Sequence, residues 1–183
     1  MLARRLIYVM DPLCSWCFAF MPVLQRLAEI AEAEGMSLQI VAGGLRHEGE
    51  KGTGSIELTI YDNEPPCRAI VSARSLDPSK VLPFVIQLQQ GFHSKGMDIM
   101  RPNLLVKLAE RVGLEAAQFA QLFDSEEMRN ATLDDFHWVE NLGIAGFPTL
   151  LAEAKGQLAL LTNGYQPLEQ LEPLLKRWLV QNK

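Results

Sequence analysis

The chain has few residues that could bind a metal and no cluster of basic residues. Among its 183 residues are three cysteines and three isolated histidines, His47, His93 and His137. A structural zinc site normally needs four ligands, usually as two close pairs, and this sequence has one close cysteine pair. We therefore expect no metal site. A net charge of −5 without a basic–aromatic stripe also argues against general nucleic-acid binding.

The sequence also lacks long apolar runs, internal repeats and low-complexity segments. Its apolar stretches are broken by charges well before the length of a membrane span. A hydrophobic content of 48% with 21% charged residues is typical of a globular protein, and the length indicates one domain, or one with a large insertion. No signal peptide fits before Cys14, so we expect a cytoplasmic location, where thiols stay reduced.

The close cysteine pair lies in the sequence Cys14-Ser15-Trp16-Cys17. It follows an apolar, β-favouring run at residues 6–10, which an Asp-Pro pair ends, and it precedes apolar residues at helical spacing over 18–31. Cys14 should therefore lie at a helix N-terminus, where amides and the helix dipole stabilise a thiolate. We predict a redox dithiol in which the pKa of Cys14, but not of Cys17, lies well below ~8.5. Two inert cysteines are the structural alternative.

Hydrophobic periodicity and the positions of glycine and proline predict the order β-α-β, a mostly helical middle, then β-β-α. The predicted strands cover residues 6–10, 37–42, 149–153 and 158–162. Residues 46–60 are predicted to form a loop. The closing helix is predicted at 167–180, with one apolar face formed by Leu168, Leu171, Leu174, Leu175 and Trp178.

Several other residues have both a functional and a structural interpretation. Asp11 could adjust the thiol pair, although Asp-Pro is also a common turn. Trp16 interrupts the helical pattern, which favours a contact surface over a core position. Cys67 follows two prolines at a helix start and could be reactive, although a lone cysteine usually packs in the core. From periodicity alone, Pro148 would be an ordinary strand start.

Together these features resemble the thioredoxin superfamily. The resemblance rests on the cysteine pair at a helix start, on Pro22 five residues beyond it, and on the aromatic-Pro-Thr sequence at 147–149. The helical middle resembles the DsbA-like branch. The blocks YVMDPLCSWC (8–17), GGLR (43–46), YDNEPPCRA (61–69) and GFPT (146–149) are similar to the FrnE-like group of DsbA-family oxidoreductases. Residues 47–60 look shorter than the matching segment of these relatives.

The resemblance implies an α/β, thioredoxin-like fold with an inserted helical domain. Residues 1–45 and 144–183 would form the thioredoxin-like domain, and residues 46–143 the insertion. Cys14 would be the nucleophile and Cys17 the resolving thiol, with the site tuned by Ser15, Trp16 and Asp11. Pro148 would be a cis-proline that faces the dithiol and keeps metal away from it. Together with Phe147 and Thr149 it would bind an extended substrate.

The function implied is a cytoplasmic disulfide oxidoreductase or isomerase acting on protein or peptide thiols and disulfides. It would need no metal or organic cofactor, and glutathione is a candidate reductant. Cys67 would lie near the groove and be dispensable. One alternative is a glutathione-dependent transferase or isomerase of the kappa-like relatives, although these normally carry serine in place of the first cysteine. The other is a non-catalytic, chaperone-like binding module.

Overall fold

A computed structural model describes residues 3–44 and 63–183 of the chain. Within them, the order of elements is as predicted, and the α/β fold is confirmed. The elements are β1 (Arg5–Met10), α1 (Ser15–Ala33), β2 (Ser37–Ala42), α2 (Glu64–Leu76), α3 (Val81–Lys95), α4 (Pro102–Arg111), α5 (Ala116–Phe123), α6 (Glu126–Asn141), β3 (Thr149–Ala154), β4 (Gln157–Asn163) and α7 (Leu168–Gln181). The predicted loop at 46–60 and the short segment at 47–60 lie outside the described residues.

The strands form a sheet in the order β2-β1-β3-β4. β1 pairs in parallel with β2 and antiparallel with β3, and β3 and β4 form an antiparallel hairpin. Because β1 is central, residues 6–10 are all buried. α1 makes the crossover that a parallel β1–β2 pair requires, so its N-terminus follows the carboxyl end of β1. This arrangement sets residues 11–14 at that end of the sheet.

The chain divides into two compact units. One comprises Met1–Gly43 with Asp135–Lys183, and the other comprises Gly44–Asp134. The first contains the sheet with α1 and α7. The second contains α2 to α5, and its core includes the tilted ring pair Phe84 and Phe119, whose centroids are 5.8 Å apart. None of the described helices is long and apolar enough to cross a membrane.

The prediction for the apolar face of α7 needs a correction. The buried residues of this helix are Leu171, Leu175 and Leu179, whereas 40% of Leu174 is exposed. Adjacent helical residues point about 100° apart, so Leu174 and Leu175 do not share a narrow stripe. The face that packs against α1 therefore repeats every four residues.

Candidate active site

Cys14 is the N-cap residue of α1, as the sequence predicts. Its backbone is extended (φ −75°, ψ 118°), and its Sγ accepts a hydrogen bond from the Cys17 amide at 3.4 Å. The Cys14 amide donates to the Asp11 carbonyl oxygen at 3.1 Å, and the Cys14 carbonyl oxygen accepts the first helical bond from Phe18 at 3.2 Å. These contacts fix a half-buried sulfur at the start of the helix.

The pKa of Cys14 is lowered to about 7, which confirms the predicted direction. The largest cause is a hydrogen bond from the neighbouring Cys17 thiol, while partial burial acts in the opposite direction. The amides of Cys17 and Trp16 lower the pKa further, and the negative charge of Asp11 raises it. A thiol with a pKa near 7 is roughly half ionised at neutral pH. Cys14 thus has the ionisation of a reactive nucleophile.

Cys17 is fully buried and has the opposite character. Burial raises its pKa well above that of an ordinary thiol, and the hydrogen bond and charge of Cys14 raise it further. The Asp11 amide and the Tyr8 hydroxyl act the other way, since both stabilise a negative charge on the Cys17 sulfur. At neutral pH the pair therefore consists of a partly ionised outer thiol and a protonated inner thiol.

The three predicted tuning residues occupy different environments. Ser15 is exposed, and Trp16 is 62% exposed with its ring against Tyr165 at a centroid distance of 5.5 Å. Trp16 therefore belongs to the surface beside Cys14 and not to the core. Asp11 is fully buried, and its carboxylate accepts the Leu13 amide at 2.9 Å. Asp11 forms the predicted turn, and its charge raises the pKa of the Cys14 thiol; its role in tuning the site stays a prediction.

The segment before β3 lies beside Cys14. The Phe147–Pro148 peptide bond is cis, and the Cys14 thiol donates to the Phe147 carbonyl oxygen at 3.7 Å. Thr149 is buried, and its hydroxyl donates to the Gly146 carbonyl oxygen at 2.8 Å and lies 3.2 Å from the Asn163 side-chain oxygen. The Thr149 side chain therefore holds the loop that carries Phe147. A direct role for Thr149 in substrate binding stays a prediction.

The role of Gly43 was not predicted from the sequence. A Cβ atom at this position would lie 2.2 Å from two ring carbons of Phe147. The backbone here is fixed, because the Gly43 amide donates to Met10 at 2.8 Å and the Ala42 amide donates to Asp135 at 3.0 Å. The absence of a side chain therefore makes room for the Phe147 ring. The Gly-Gly pair in the sequence was the available signal, but only the fold reveals its partner.

We expect Gly43→Ala to slow exchange with protein disulfides by about tenfold and to destabilise the fold by about 1–3 kcal/mol. The added methyl displaces the Phe147 ring, which packs against the buried cluster of Ile7, Val9, Val41, Val139 and Leu151. The neighbouring carbonyl oxygen then moves relative to Cys14. The measurements are kcat/KM for a protein disulfide and the midpoint of urea unfolding.

Gly35→Ala is the matched control for that variant. Gly35 has a positive φ of 72° with no atom within 4 Å of an added Cβ, so alanine there is strained but meets no neighbour. It follows the far end of α1, about 28 Å from Cys14 along a 19-residue helix. The control should lose stability and keep its exchange rate. Equal exchange rates in the two variants would contradict the proposed effect of the ring.

Cys67 lies in the first turn of α2, as predicted, and is fully buried. The next residue, Arg68, stacks over the Phe123 ring at 4.3 Å and pairs with Glu64 at 3.3 Å. These contacts give the block around Cys67 a packing role within the helical unit. Its position near the groove stays a prediction. Across residues 3–44 and 63–183, no group of three or more His, Cys, Asp or Glu residues is arranged to hold a metal ion.

The chain is similar to known proteins in both sequence and structure. The family model of the DSBA-like thioredoxin domain matches residues 70–176, which include Pro148 but not the cysteine pair. A Nitrosomonas europaea protein, proposed to be a protein disulfide isomerase, is 33% identical, with a TM-score of 0.87 over 99% of this chain and 100% of its own. No functionally curated protein matches the sequence.

Two further structures extend the comparison. The cytosolic disulfide reductase DsbM from Pseudomonas aeruginosa, solved with GSH, is 25% identical, with a TM-score of 0.70 over 96% of this chain and 99% of its own. The DsbA oxidoreductase from Xylella fastidiosa is 16% identical, with a TM-score of 0.69 over 98% of this chain and 86% of its own. The latter shares the fold.

Proposed function

The chain belongs to the family of DsbA-like thioredoxin domains, and we propose that it is a thiol–disulfide oxidoreductase whose redox centre is Cys14 and Cys17. The observation that carries this proposal is the contrast between the two sulfurs. Cys14 is half-buried with a pKa of about 7, and Cys17 is buried beside it with a raised pKa. Such a pair provides an ionised nucleophile and a protected second thiol, as dithiol exchange requires.

In the proposed reaction the Cys14 thiolate attacks one sulfur of a substrate disulfide. A Cys14–substrate bond forms, the substrate S–S bond breaks, and its electron pair leaves with the other substrate sulfur, which takes a proton from water. Cys17 then loses its proton and attacks Cys14 Sγ, forming the Cys14–Cys17 disulfide and expelling the second substrate thiolate. The substrate gains two electrons, and the enzyme dithiol loses them.

Capture of the substrate would itself activate Cys17. The charge and the hydrogen bonding of the Cys14 sulfur both raise the pKa of Cys17. Both contributions require a Cys14 thiolate, and a mixed disulfide is neutral. The pKa of Cys17 therefore falls when Cys14 becomes bonded to substrate, although burial, the largest cause, still raises it. The second thiol is easier to deprotonate at the stage where the exchange needs it.

We propose protein or peptide disulfides as substrates and the cytosol as the compartment. The Phe147 carbonyl oxygen beside Cys14 Sγ is a main-chain acceptor for an extended peptide, and the exposed Trp16 ring offers an apolar contact.

Two glutathione molecules would regenerate the dithiol, one forming a mixed disulfide with Cys14 and the other releasing oxidised glutathione. The likeness to a cytosolic reductase solved with GSH supports this reductant and this compartment. The exchange itself uses sulfur atoms and needs no metal or organic cofactor.

The test is reduction of insulin disulfides by glutathione with and without the protein. We expect the wild type to accelerate the reaction over glutathione alone. The Cys67→Ala variant is the matched control, since it removes a buried thiol outside the redox pair and should keep most of the activity. If adding the protein does not change the rate of insulin reduction by glutathione, the proposed enzymatic role is wrong. A Cys14–Cys17 disulfide that mild thiols fail to reduce would favour a binding module instead.

A further inference from the structure

Tyr8 is a fully buried phenol in the centre of the sheet. It lies on β1 opposite Ile40 of β2 and Leu150 of β3, and neither neighbour carries a charge. Its ring stacks against Phe20 of α1 with a centroid distance of 5.7 Å and an interplanar angle of 27°. A buried tyrosine hydroxyl normally has a hydrogen-bond partner, because leaving it unsatisfied is costly. The position of that partner indicates what the hydroxyl does.

The Tyr8 hydroxyl points at Cys17. It donates to the Cys17 carbonyl oxygen over a long 3.5 Å, and hydrogen bonding by this hydroxyl lowers the pKa of the Cys17 thiol. A hydroxyl proton rotates to the better acceptor. A neutral thiol is a weak acceptor, so the carbonyl oxygen holds the hydrogen when Cys17 is protonated. A thiolate is the stronger acceptor of the two, because hydrogen bonds to ionised groups are stronger than those to neutral ones.

We propose that the Tyr8 hydroxyl is the switchable donor for Cys17, turning from the carbonyl oxygen to Sγ whenever that sulfur carries negative charge. This inference rests on the proposed function. When substrate oxidises the enzyme dithiol, Tyr8 stabilises the Cys17 thiolate that attacks Cys14 Sγ and expels the substrate. When a thiol reduces the Cys14–Cys17 disulfide, the incoming thiolate attacks Cys14 Sγ and the Cys14–Cys17 bond breaks. Its electron pair goes to Cys17, where the Tyr8 hydroxyl donates to it.

Tyr8 acts here as a donor and not as a base. Burial raises the pKa of Tyr8 well above its ordinary value, and the nearby Cys17 and Cys14 sulfurs raise it further. The phenol therefore keeps its proton through the exchange. Among the described residues, the buried carboxylate of Asp11 also carries a charge that raises the pKa of Cys14. A neutral donor is useful here, because it stabilises a thiolate without adding a charge to the core.

The test separates the two sulfurs in one reaction. Reduced protein carrying Cys67→Ala is mixed with a nitrobenzoate aromatic disulfide, whose released thiolate is coloured. The first phase reports attack by Cys14, and the second reports release by Cys17. We expect Tyr8→Phe to leave the first phase within about twofold of the wild type and to slow the second about tenfold, the size expected for loss of a donor to a charged group. The second phase should also move to higher pH, because the pKa of Cys17 rises.

The control is Tyr165→Phe, which removes a phenol from the same aromatic cluster, where Tyr165 packs edge-on against Phe20. Both of its phases should match the wild type. If Tyr8→Phe fails to fold, the fallback is fluorotyrosine at position 8 in a protein whose other tyrosines are changed to phenylalanine. Fluorotyrosine is a more acidic donor, so it should speed the second phase instead of slowing it. A wild type without a second phase would remove the proposed function. If the wild type shows two phases and the Tyr8 variants leave both unchanged or slow both equally, this inference is wrong while the proposed function stands.

Discussion

Cys14→Ser is expected to abolish reduction of protein disulfides, a loss of roughly 10³-fold or more, as for removal of a covalent nucleophile. The reason is ionisation. The pKa of Cys14 is about 7, so a large share of this thiol is thiolate at neutral pH, whereas a serine hydroxyl stays protonated. The measurement is the rate of insulin reduction by glutathione at a fixed enzyme concentration.

The fold should survive this substitution. Cys14 is the N-cap of α1, with Sγ accepting the Cys17 amide. Serine is among the preferred N-cap residues, and its oxygen can accept the same amide. Thermal unfolding of the variant should therefore match or exceed that of the wild type. A folded Cys14→Ser protein with wild-type turnover would rule out Cys14 as the nucleophile.

Much of the site could be predicted from the sequence because its signals are local. An apolar run, an Asp-Pro turn and helical spacing of apolar residues, all between residues 6 and 31, predict that Cys14 lies at a helix start. The order of strands and helices follows from the same kind of local pattern. The cis bond before Pro148 was expected from the resemblance, since periodicity alone makes this residue an ordinary strand start.

The contacts that set the chemistry depend on the tertiary fold and could not be predicted this way. Gly43 and Phe147 are distant in sequence and meet because the end of β2 and the start of β3 both lie at the carboxyl end of β1. Tyr8 reaches Cys17 because the turn at residues 11–14 folds α1 back against the strand. The sequence also pointed to the helix terminus as the cause of the low Cys14 pKa. The larger cause is the thiol of Cys17, and only the geometry of both side chains reveals it.

Cys17→Ser is expected to halt turnover of protein disulfides after one event and to leave substrate covalently bound to Cys14. The Cys14 thiol and its cap remain, and the serine hydroxyl can replace the Cys17 thiol as the donor that lowers the pKa of Cys14, so the first attack proceeds. No second thiol then remains within the pair to break the mixed disulfide. Non-reducing electrophoresis and intact-mass measurement should find close to one substrate chain per enzyme, and a reductant should release it.

The buried serine in this variant should be tolerated. The Tyr8 hydroxyl, which donates to the Cys17 carbonyl oxygen, and the Asp11 amide are the donors that would stabilise charge on the Cys17 sulfur, and a serine oxygen at the same place could accept from either of them. The double variant Cys14→Ser with Cys17→Ser is the control, and it should form no adduct. Adducts in the double variant would place the reactive thiol elsewhere in the chain.

Glutathione makes the outcome for Cys17→Ser depend on the substrate. A small thiol can attack a mixed disulfide from solution, so the variant should still release glutathione from a glutathionylated peptide, where the trapped partner is small. A bulky protein partner should shield the same S–S bond, and turnover should stop. Sustained turnover of both substrates without any trapped adduct would mean that glutathione, and not Cys17, resolves the intermediate. Cys17 would then serve mainly as the buried thiol that lowers the pKa of Cys14.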